Sequence, residues 1–150
     1  MRLPLPSRRF FAALLAVAIG VAVLLPAAVL TAHGLGHPPT PLMLWRKAQG
    51  EPVTRIWTPL AGFDRTLVVA VVASEDNEFC GHAGVDWGEI EDVMDQEGGP
   101  KRGGSTITMQ VAKNLLLWNG YGWLRKPVEI PLALVVDSLW SKEKILETYL

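Results

Sequence analysis

The chain opens with a long apolar block and then alternates shorter apolar runs with polar breaks. From Phe10 to Ala32, 23 consecutive residues carry no charge. About 20 apolar residues in a helix are enough to cross the ~30 Å hydrocarbon core of a bilayer. Pro26 lies late in this run, where a membrane-spanning helix tolerates it. The pattern therefore predicts a transmembrane helix over residues 10–32, preceded by a basic tail over residues 1–9.

A cleavable signal peptide is the alternative interpretation of this block. Arg8 and Arg9 form a basic segment before it, and residues 32–34 make an acceptable small-x-small cleavage site. However, the apolar run is longer than the ~7–15 residues usual in a signal peptide, which favours an uncleaved anchor. Three arginines precede the block and the next basic residue after it is Arg46. The positive-inside rule then keeps the N-terminus in the cytoplasm and sends the rest to the other side of the membrane.

Residues 33–51 are predicted to be a spacer and juxtamembrane segment. They begin with "HGLGHPPTPL", whose prolines and glycines disfavour regular structure. The next stretch, "LMLWRKAQGEPVTRIWTPLAGF", has no clear periodicity and is expected to be irregular or to form short strands. Trp45 and Trp57 lie in this stretch. They are expected either to lie at the membrane interface or to pack on the following domain.

The remaining residues, 52–150, are predicted to form one mainly α-helical domain. Residues 66–79 begin with an almost unbroken apolar run, which suits either a buried helix or a strand. The polar end "SEDNEF" extends the segment beyond ordinary strand length, which favours a buried helix. Asp86 is predicted to cap a second helix at its N-terminus. The glycine-rich stretch over residues 96–104 then ends that helix.

Three further helices are predicted after the glycine-rich stretch. Ser105 and Ser141 are expected to cap the first and the last of them. Pro127 suits the first position of the middle helix, whereas Pro131 removes a hydrogen bond one turn later and predicts a kink. Four apolar residues of the first helix share one stripe at helical spacing: Ile107, Val111, Leu115 and Trp118.

Charge is segregated along this domain, although the net charge of the chain is only −1. Residues 75–97 contain nine acids and no lysine or arginine, which is typical of a solvated face. Residues 98–126 contain five bases and no acid, namely Lys101, Arg102, Lys113, Arg125 and Lys126. Together with glycines and a helix start, these bases suit a phosphate or diphosphate. The near-neutral total argues against nucleic-acid binding.

Cys80, the single cysteine, excludes an internal disulfide and is interpreted as a packing residue.

Three long elements of the domain resemble, in the same order, those of the bacterial peptidoglycan glycosyltransferases. The first is "EDNEFCGHAGVD", the second is "GGSTITMQVAKNLLL", and the third is "RKPVE" followed by "LWSKEKILETYL". The resemblance covers roughly residues 52–150 and, with one anchor and no second domain, is greatest to the monofunctional biosynthetic branch of that family. It implies a mainly helical, lysozyme-like fold.

The resemblance also implies a reaction and a set of residues. The C4 hydroxyl of lipid II attacks the anomeric carbon of a growing lipid-linked glycan, the configuration inverts, and undecaprenyl diphosphate leaves. Glu75 matches the general base, and Glu129, 54 positions later, matches a second acid that orients the donor sugar or a cation. Lys113 matches a residue that stabilises the leaving diphosphate, with Arg125 and Lys126 nearby. Ser105, Thr106 and Gln110 are expected to line the substrate groove.

These residue types suit the implied chemistry. A sugar hydroxyl is a weak nucleophile, so a positioned carboxylate must take its proton as the new bond forms. Glu75 follows an apolar run, which predicts a rigid, partly dry site that makes it a stronger base than a solvated glutamate. Fixed cations stabilise the departing diphosphate more in the transition state than in the ground state. His82 also matches the first element, and is interpreted as a structural residue bonded to neighbouring backbone.

Two departures from the resemblance keep other functions open. A basic residue that relatives carry before "RKxxE" is absent from the neighbourhood of Tyr121. Relatives also continue beyond the position of Leu150, so we expect a truncated product or a fragment. A membrane-anchored, non-catalytic scaffold of the cell-wall machinery is therefore one alternative. A lysozyme-like lytic enzyme is another, but it has no use for a basic diphosphate site.

The expected partners follow from the resemblance and the anchor. They are lipid II, the growing lipid-linked glycan and the membrane, with other cell-wall synthesis or division proteins as further candidates. The three histidines are scattered and form no tight ligand cluster, so no metal site is predicted. The sequence leaves open whether a divalent cation such as Mg²⁺ assists the leaving group.

Overall fold

A computed structural model describes residues 8–95, 104–117 and 122–150 of the chain. In these ranges the chain is helical and contains no β-strand, which confirms the mainly α fold class. The chain divides into two compact units, Met1–Pro38 and Pro39–Leu150.

The first unit contains one long helix, α1, over Arg8–Leu35. Its 28 residues span about 42 Å at a rise of 1.5 Å per residue. The mean hydropathy of its most apolar window is 2.7, so length and composition both suit a membrane span. The helix predicted over residues 10–32 is therefore present. An N-terminal signal sequence meets the same two criteria.

The second unit begins with a helix that the sequence pattern did not predict. Helix α2 covers Pro41–Ala48, where an irregular or strand-like segment was expected. The reason is local, because the side chain of Thr40 accepts a hydrogen bond from the backbone N–H of Met43 at 3.2 Å. Pro41 occupies the first turn, where its missing N–H has no intrahelical partner to lose.

The two tryptophans of this region have different surroundings. Trp45 on α2 is 63% exposed. Trp57 packs on the domain, with the cationic groups of Arg55 and Lys144 each 5.1 Å from the centre of its ring. Regular structure is absent over residues 51–59, and a single 3₁₀ turn, Leu60–Gly62, follows.

Helix α3 covers Arg65–Glu75 and differs from the prediction in two ways. Asp64 caps it by accepting a hydrogen bond from the Thr66 N–H at 2.7 Å. The helix ends at Glu75 rather than at residue 79, because Asp76 adopts a φ of −165° and leaves the helical path. None of its residues is buried, so the expectation of a buried helix was wrong.

Helix α4 covers Trp87–Met94, with Asp86 as its predicted N-cap. The Asp86 carboxylate accepts a hydrogen bond from the backbone N–H of Glu89 at 2.9 Å. Val93 is its buried residue. The glycine-rich stretch predicted to end this helix lies mostly outside the described residues. Cys80, in the loop before α4, is exposed, so its interpretation as a packing residue was wrong.

Helix α5, Ile107–Leu116, forms the centre of the second unit. Its cap is Thr106 and not the predicted Ser105, since the Thr106 hydroxyl accepts a hydrogen bond from the Met109 N–H at 3.1 Å. The predicted apolar stripe is confirmed where it is described, whereas Trp118 lies outside the described residues. The buried side chains of α5 are those of Ile107, Thr108, Met109, Val111, Ala112 and Leu115.

The last two helices, α6 over Gly122–Leu139 and α7 over Lys142–Tyr149, both pack against α5. Ser141 caps α7 as predicted, accepting a hydrogen bond from the Lys144 N–H at 3.3 Å. Pro127 lies inside α6 and not at its first position, so that prediction was wrong. Burial of Ala133 and Val136 against the core opposes the ~3 kcal/mol that an interior proline costs a helix. The kink at Pro131 stays a prediction.

Gly84 allows the loop before α4 to lie directly on α6. Its φ is +81°, and a Cβ added there would lie 2.6 Å from the carbonyl oxygen of Ala133. Any other residue at this position therefore meets both backbone strain and a steric clash. The Gly84 carbonyl in turn accepts a hydrogen bond from the Thr106 hydroxyl at 2.6 Å. This loop consequently connects the start of α5 with the middle of α6.

Substituting Gly84 by alanine is expected to destabilise the second unit more than substituting Gly50. Gly50 has nearly the same φ, +80°, but nothing lies within 4 Å of an added Cβ. Gly50→Ala should lower the free energy of unfolding by about 1–2 kcal/mol, the cost of left-handed backbone. Gly84→Ala should lower the free energy of unfolding by the same amount and by roughly a further 1–3 kcal/mol because of the clash. Urea unfolding of the detergent-solubilised chain measures both, and equal losses would contradict the close packing.

Candidate functional site

Glu75, the predicted base, lies at the C-terminal end of α3 beside an open cavity. Its carboxylate Oε2 accepts a hydrogen bond from Nε2 of Gln110 on α5 at 2.9 Å. The cavity has a volume of about 380 Å³. Ser105 and Thr106, at the start of α5, contribute to its lining. Five carboxylate residues also line it: Glu75, Asp76, Glu78, Asp86 and Glu89.

The surroundings of Glu75 differ from those that the sequence predicted. The side chain is exposed, because the apolar run before it forms a helix with no buried residue. The expected partly dry environment was therefore wrong. Glu75 is instead oriented by the polar contact with Gln110. A hydrogen-bond donor from another helix, and not apolar packing, restrains the direction of this carboxylate.

Asp76, next to Glu75, is the residue that joins the end of α3 to the start of α5. It is only 8% exposed. Its Oδ2 accepts a hydrogen bond from the backbone N–H of Ile107 at 2.8 Å, and its Oδ1 lies 2.8 Å from Nε2 of His82. This carboxylate also stabilises α5, because its negative charge lies at the positive N-terminal end of the helix dipole. His82 is structural, as predicted, but its partner is this side chain and not neighbouring backbone.

The predicted cationic residues are grouped around the start of α6. The Lys126 ammonium donates hydrogen bonds to the carbonyl oxygen of Gly104, at 3.2 Å, and to the Ser105 hydroxyl. Burial lowers the pKa of Lys126 from its ordinary value, the Glu129 carboxylate opposes this shift, and the charges of Arg125 and Lys113 add to it. Ser105 thus connects the cavity with the group of cations.

Glu129, the second predicted acid, is 3% exposed and lies one helical turn after Arg125. The Arg125 guanidinium donates a hydrogen bond from Nε to Oε1 of Glu129. Among the described residues that line the cavity, Glu129 does not occur. Its position suits a counter-ion that holds Arg125 and offsets the clustered positive charge. A direct catalytic role for Glu129 stays a prediction.

The structure therefore brings most of the predicted residues together in two connected groups. Glu75 and Gln110 form the first, and Arg125, Lys126 and Glu129 form the second. Ser105 links them, because it lines the cavity beside Glu75 and accepts a hydrogen bond from Lys126. Lys113 lies on α5 one turn beyond Gln110 and is half-buried. Lys101, Arg102 and Tyr121 lie outside the described residues. In the described part of the chain, no group of three metal-ligating side chains is present.

Two contributors were missed by the sequence interpretation. Asp76 was counted only as one of several acids, although its place directly after the predicted base marks the end of α3. Tyr149, in the last helix, lies close enough to Glu75 that burial and then the Glu75 charge raise the pKa of its phenol. Neither relationship has a local signal in the sequence, because the residues involved are separated by tens of positions.

This arrangement combines two chemical capacities. A carboxylate that faces an open cavity can accept a proton from a bound hydroxyl group. Clustered lysine and arginine side chains stabilise an anionic group such as a phosphate. Both capacities are needed where a weak nucleophile displaces an anionic leaving group.

Comparison with known proteins relates this site to one family. The family model described as "Transglycosylase" matches residues 43–150, which include every predicted site residue. A protein of Nitrobacter winogradskyi named biosynthetic peptidoglycan transglycosylase is 48% identical over 135 residues, covering 89% of this chain and 59% of that protein. Proteins of the same name from Rhodopseudomonas palustris strain HaA2 and Brucella suis are 50% and 43% identical over 143 residues.

These two alignments each cover 91% of this chain and 63% and 64% of the relatives. The chain thus spans about 60% of the length of the curated relatives that it matches. The family model covers more than two thirds of the chain itself and includes both groups of the site. On this match, the chain belongs to the transglycosylase family.

Proposed function

We propose that this chain is a peptidoglycan glycosyltransferase that polymerises lipid II into glycan strands and releases undecaprenyl diphosphate. The observation that carries the proposal is the contact of Glu75 with Gln110 at the cavity, with Lys126 bonded to Ser105 in the same lining. The relatives are named for peptidoglycan biosynthesis, which agrees with this substrate class.

In the proposed reaction, Glu75 acts as the general base. The C4 hydroxyl oxygen of the acceptor sugar forms a bond to the anomeric carbon of the donor, and its proton moves to the Glu75 carboxylate. The bond between the anomeric carbon and the diphosphate breaks, and the diphosphate leaves with the electron pair. Attack on the face opposite the leaving group inverts the configuration. Gln110 holds the carboxylate through its amide N–H group.

The cationic residues are proposed to stabilise the leaving diphosphate. The charges of Arg125 and Lys113 both act on Lys126, so an anion bound beside Lys126 would reduce this repulsion. The lowered pKa of Lys126 reflects burial and neighbouring positive charge, both of which a bound phosphate would offset. Ser105 and Thr106 are proposed to line the path between this group and Glu75.

The proposed substrate is attached to a lipid, which suits a protein that is itself anchored in the membrane. We propose that α1 is an uncleaved anchor in the inner membrane. The N-terminus then lies in the cytoplasm and the second unit lies on the opposite side of the membrane. The basic residues at the start of α1 and the absence of acids from it support this orientation.

Glu75→Gln is expected to abolish polymerisation while the fold is retained. The amide keeps the size of the side chain but cannot accept the proton, so kcat should fall by about 10²–10⁴-fold. The assay incubates the full chain with fluorescent lipid II and separates polymer and undecaprenyl diphosphate. Glu91→Gln is the matched control, because Glu91 is an exposed acid on α4 that does not line the cavity; it should retain the full rate.

The same assay separates the alternatives. Full activity in Glu75→Gln, or loss only in Glu78→Gln, would show that Glu75 is not the base.

Lys113→Ala should lower kcat by about tenfold or more, since hydrogen bonds to charged groups contribute about 1.5–3 kcal/mol. Lys47→Ala, at an exposed lysine on α2, is its control. Lipid II binding without turnover would indicate a scaffold, and shortening of preformed glycan would indicate a lytic enzyme.

The single cysteine provides a test of orientation. Cys80 is exposed in the second unit, so a maleimide that cannot cross membranes should label it in intact spheroplasts. Cys80→Ser should abolish the labelling. Labelling only after permeabilisation would contradict the proposed topology.

A further inference from the structure

Helix α2, which the sequence pattern did not predict, carries a stripe of apolar residues on its exposed side. The helix contacts α5, and none of its residues is buried. Leu42 and Met43 are its half-buried residues. Exposed apolar residues are separated by three or four positions, at Pro41, Leu44, Trp45 and Ala48. At about 3.6 residues per turn, this spacing places the four side chains on one face of the helix.

This stripe lies where a surface helix normally carries polar side chains. Leu44 is 53% exposed and Trp45 is 63% exposed. Helix α4, in the same unit, has the usual arrangement at its centre, where the exposed residues are the acids Glu91 and Asp92. A helix whose exposed face is apolar indicates a surface that an apolar partner covers.

The position of α2 in the chain favours a phospholipid surface as that partner. Residues 36–40 are the whole link between α1 and α2, and a segment of that length reaches at most about 20 Å. An α1 that crosses the bilayer therefore brings the start of α2 to the bilayer surface. Tryptophan is enriched at that depth, because its ring is apolar and its indole N–H is polar.

The charge of α2 also suits a lipid surface. Its last turn carries Arg46 and Lys47, and the helix itself contains no acid. Arg46 Nε lies 3.8 Å from Glu51 Oε2, but both side chains are more than half exposed, so this ion pair is weak. A helix with an apolar face and basic residues beside it is attracted to bilayers that contain anionic headgroups.

We propose that α2 is an interfacial helix that lies in the headgroup region of the bilayer, with its apolar stripe directed into the lipid. The inference rests on the part of the proposed function in which α1 is a membrane anchor. Helix α2 contacts α5, and α5 carries Gln110, the partner of the proposed base. Lipid contact of α2 therefore restrains the height of the site above the membrane, where a lipid-linked substrate is held.

The test measures lipid contact of a single fluorophore in the full chain, reconstituted into vesicles of phosphatidylcholine and phosphatidylglycerol. Cys80→Ser removes the native thiol, and Ala48→Cys allows an NBD fluorophore to be attached on the stripe. Nitroxide-labelled phosphatidylcholine should quench this fluorophore by at least about half, because an interfacial helix buries its apolar face ~5–10 Å into the bilayer. Asp92→Cys is the matched control on the exposed side of α4, and its fluorophore should keep nearly all of its intensity.

A second comparison tests the stripe itself. In the Ala48→Cys chain, Leu44→Ser combined with Trp45→Ser should remove most of the quenching, since the apolar area that favours lipid is lost. Trp87→Ser should leave the quenching unchanged, although Trp87 on α4 is 57% exposed. The melting temperature should stay unchanged in the double variant, because α2 has no buried residue. A lower melting temperature would overturn the inference, since the stripe would then pack on the protein.

The remaining outcomes separate this inference from the proposed reaction. Absence of quenching at Ala48→Cys, or equal quenching at Asp92→Cys, would overturn the interfacial helix and leave a polymerising wild-type chain with its proposed function. A blue-shifted fluorophore that lipid does not quench would overturn it as well, because a second copy of the chain would then cover the stripe. The predicted quenching in a chain that makes no polymer would support the interfacial helix and overturn the proposed reaction. A chain that does not float with the vesicles would overturn the anchor and this inference together.

Discussion

The Asp76 carboxylate lies between the end of α3, the start of α5 and the loop that leads to α4. One of its oxygens accepts the Ile107 N–H and the other contacts His82, both at 2.8 Å. A buried carboxylate must have such partners, because an unpaired charged group costs far more free energy when it is buried than when it is exposed to water. These bonds fix where the polypeptide leaves α3. Glu75, one residue earlier, consequently faces the cavity at a defined place relative to α5.

Polar contacts also hold the cationic residues of the site in place. Lys126 donates to the segment just before α5, and Glu129 is buried as the partner of Arg125. Positive charge is therefore held close to the start of α5. With Gln110 bonded to Glu75 and the Lys113 charge acting on Lys126, helix α5 is the common reference for both the acid and the cations. A site built on one central helix and its neighbours has its parts positioned by packing that is independent of substrate.

Local features of this fold could be predicted from the sequence, whereas long-range ones could not. Asp86 and Ser141 were recognised as caps because a cap bonds within three residues of itself. The prediction missed the cap of α5 by one residue, since Ser105 and Thr106 are both suitable caps and long-range contacts distinguish them, of Ser105 with Lys126 and of Thr106 with Gly84.

The site residues also divide into those that the sequence identified and long-range contacts that it did not reveal. The motif resemblance identified Glu75, Gln110 and the cations, and the structure brings Glu75 and Gln110 into direct contact across 35 positions. The end of α3 was misplaced because Asp76 bonds to a residue 31 positions later, which apolar periodicity does not reveal. Burial of α3 was misjudged for a related reason, since an apolar run predicts a tendency to be covered and not the neighbour that covers it.

The most direct test is amide hydrogen exchange at Ile107 in the wild-type chain and in Asp76→Ala. Alanine removes both carboxylate oxygens, so the Ile107 N–H loses its acceptor. If Asp76 joins α3 to α5, the Ile107 amide should exchange about ten- to a hundredfold faster in the variant, matching the ~1–3 kcal/mol cost of an unsatisfied buried donor. Asp92→Ala, at an exposed acid of α4, should leave that exchange unchanged. Wild-type protection of Ile107 in Asp76→Ala would contradict the account.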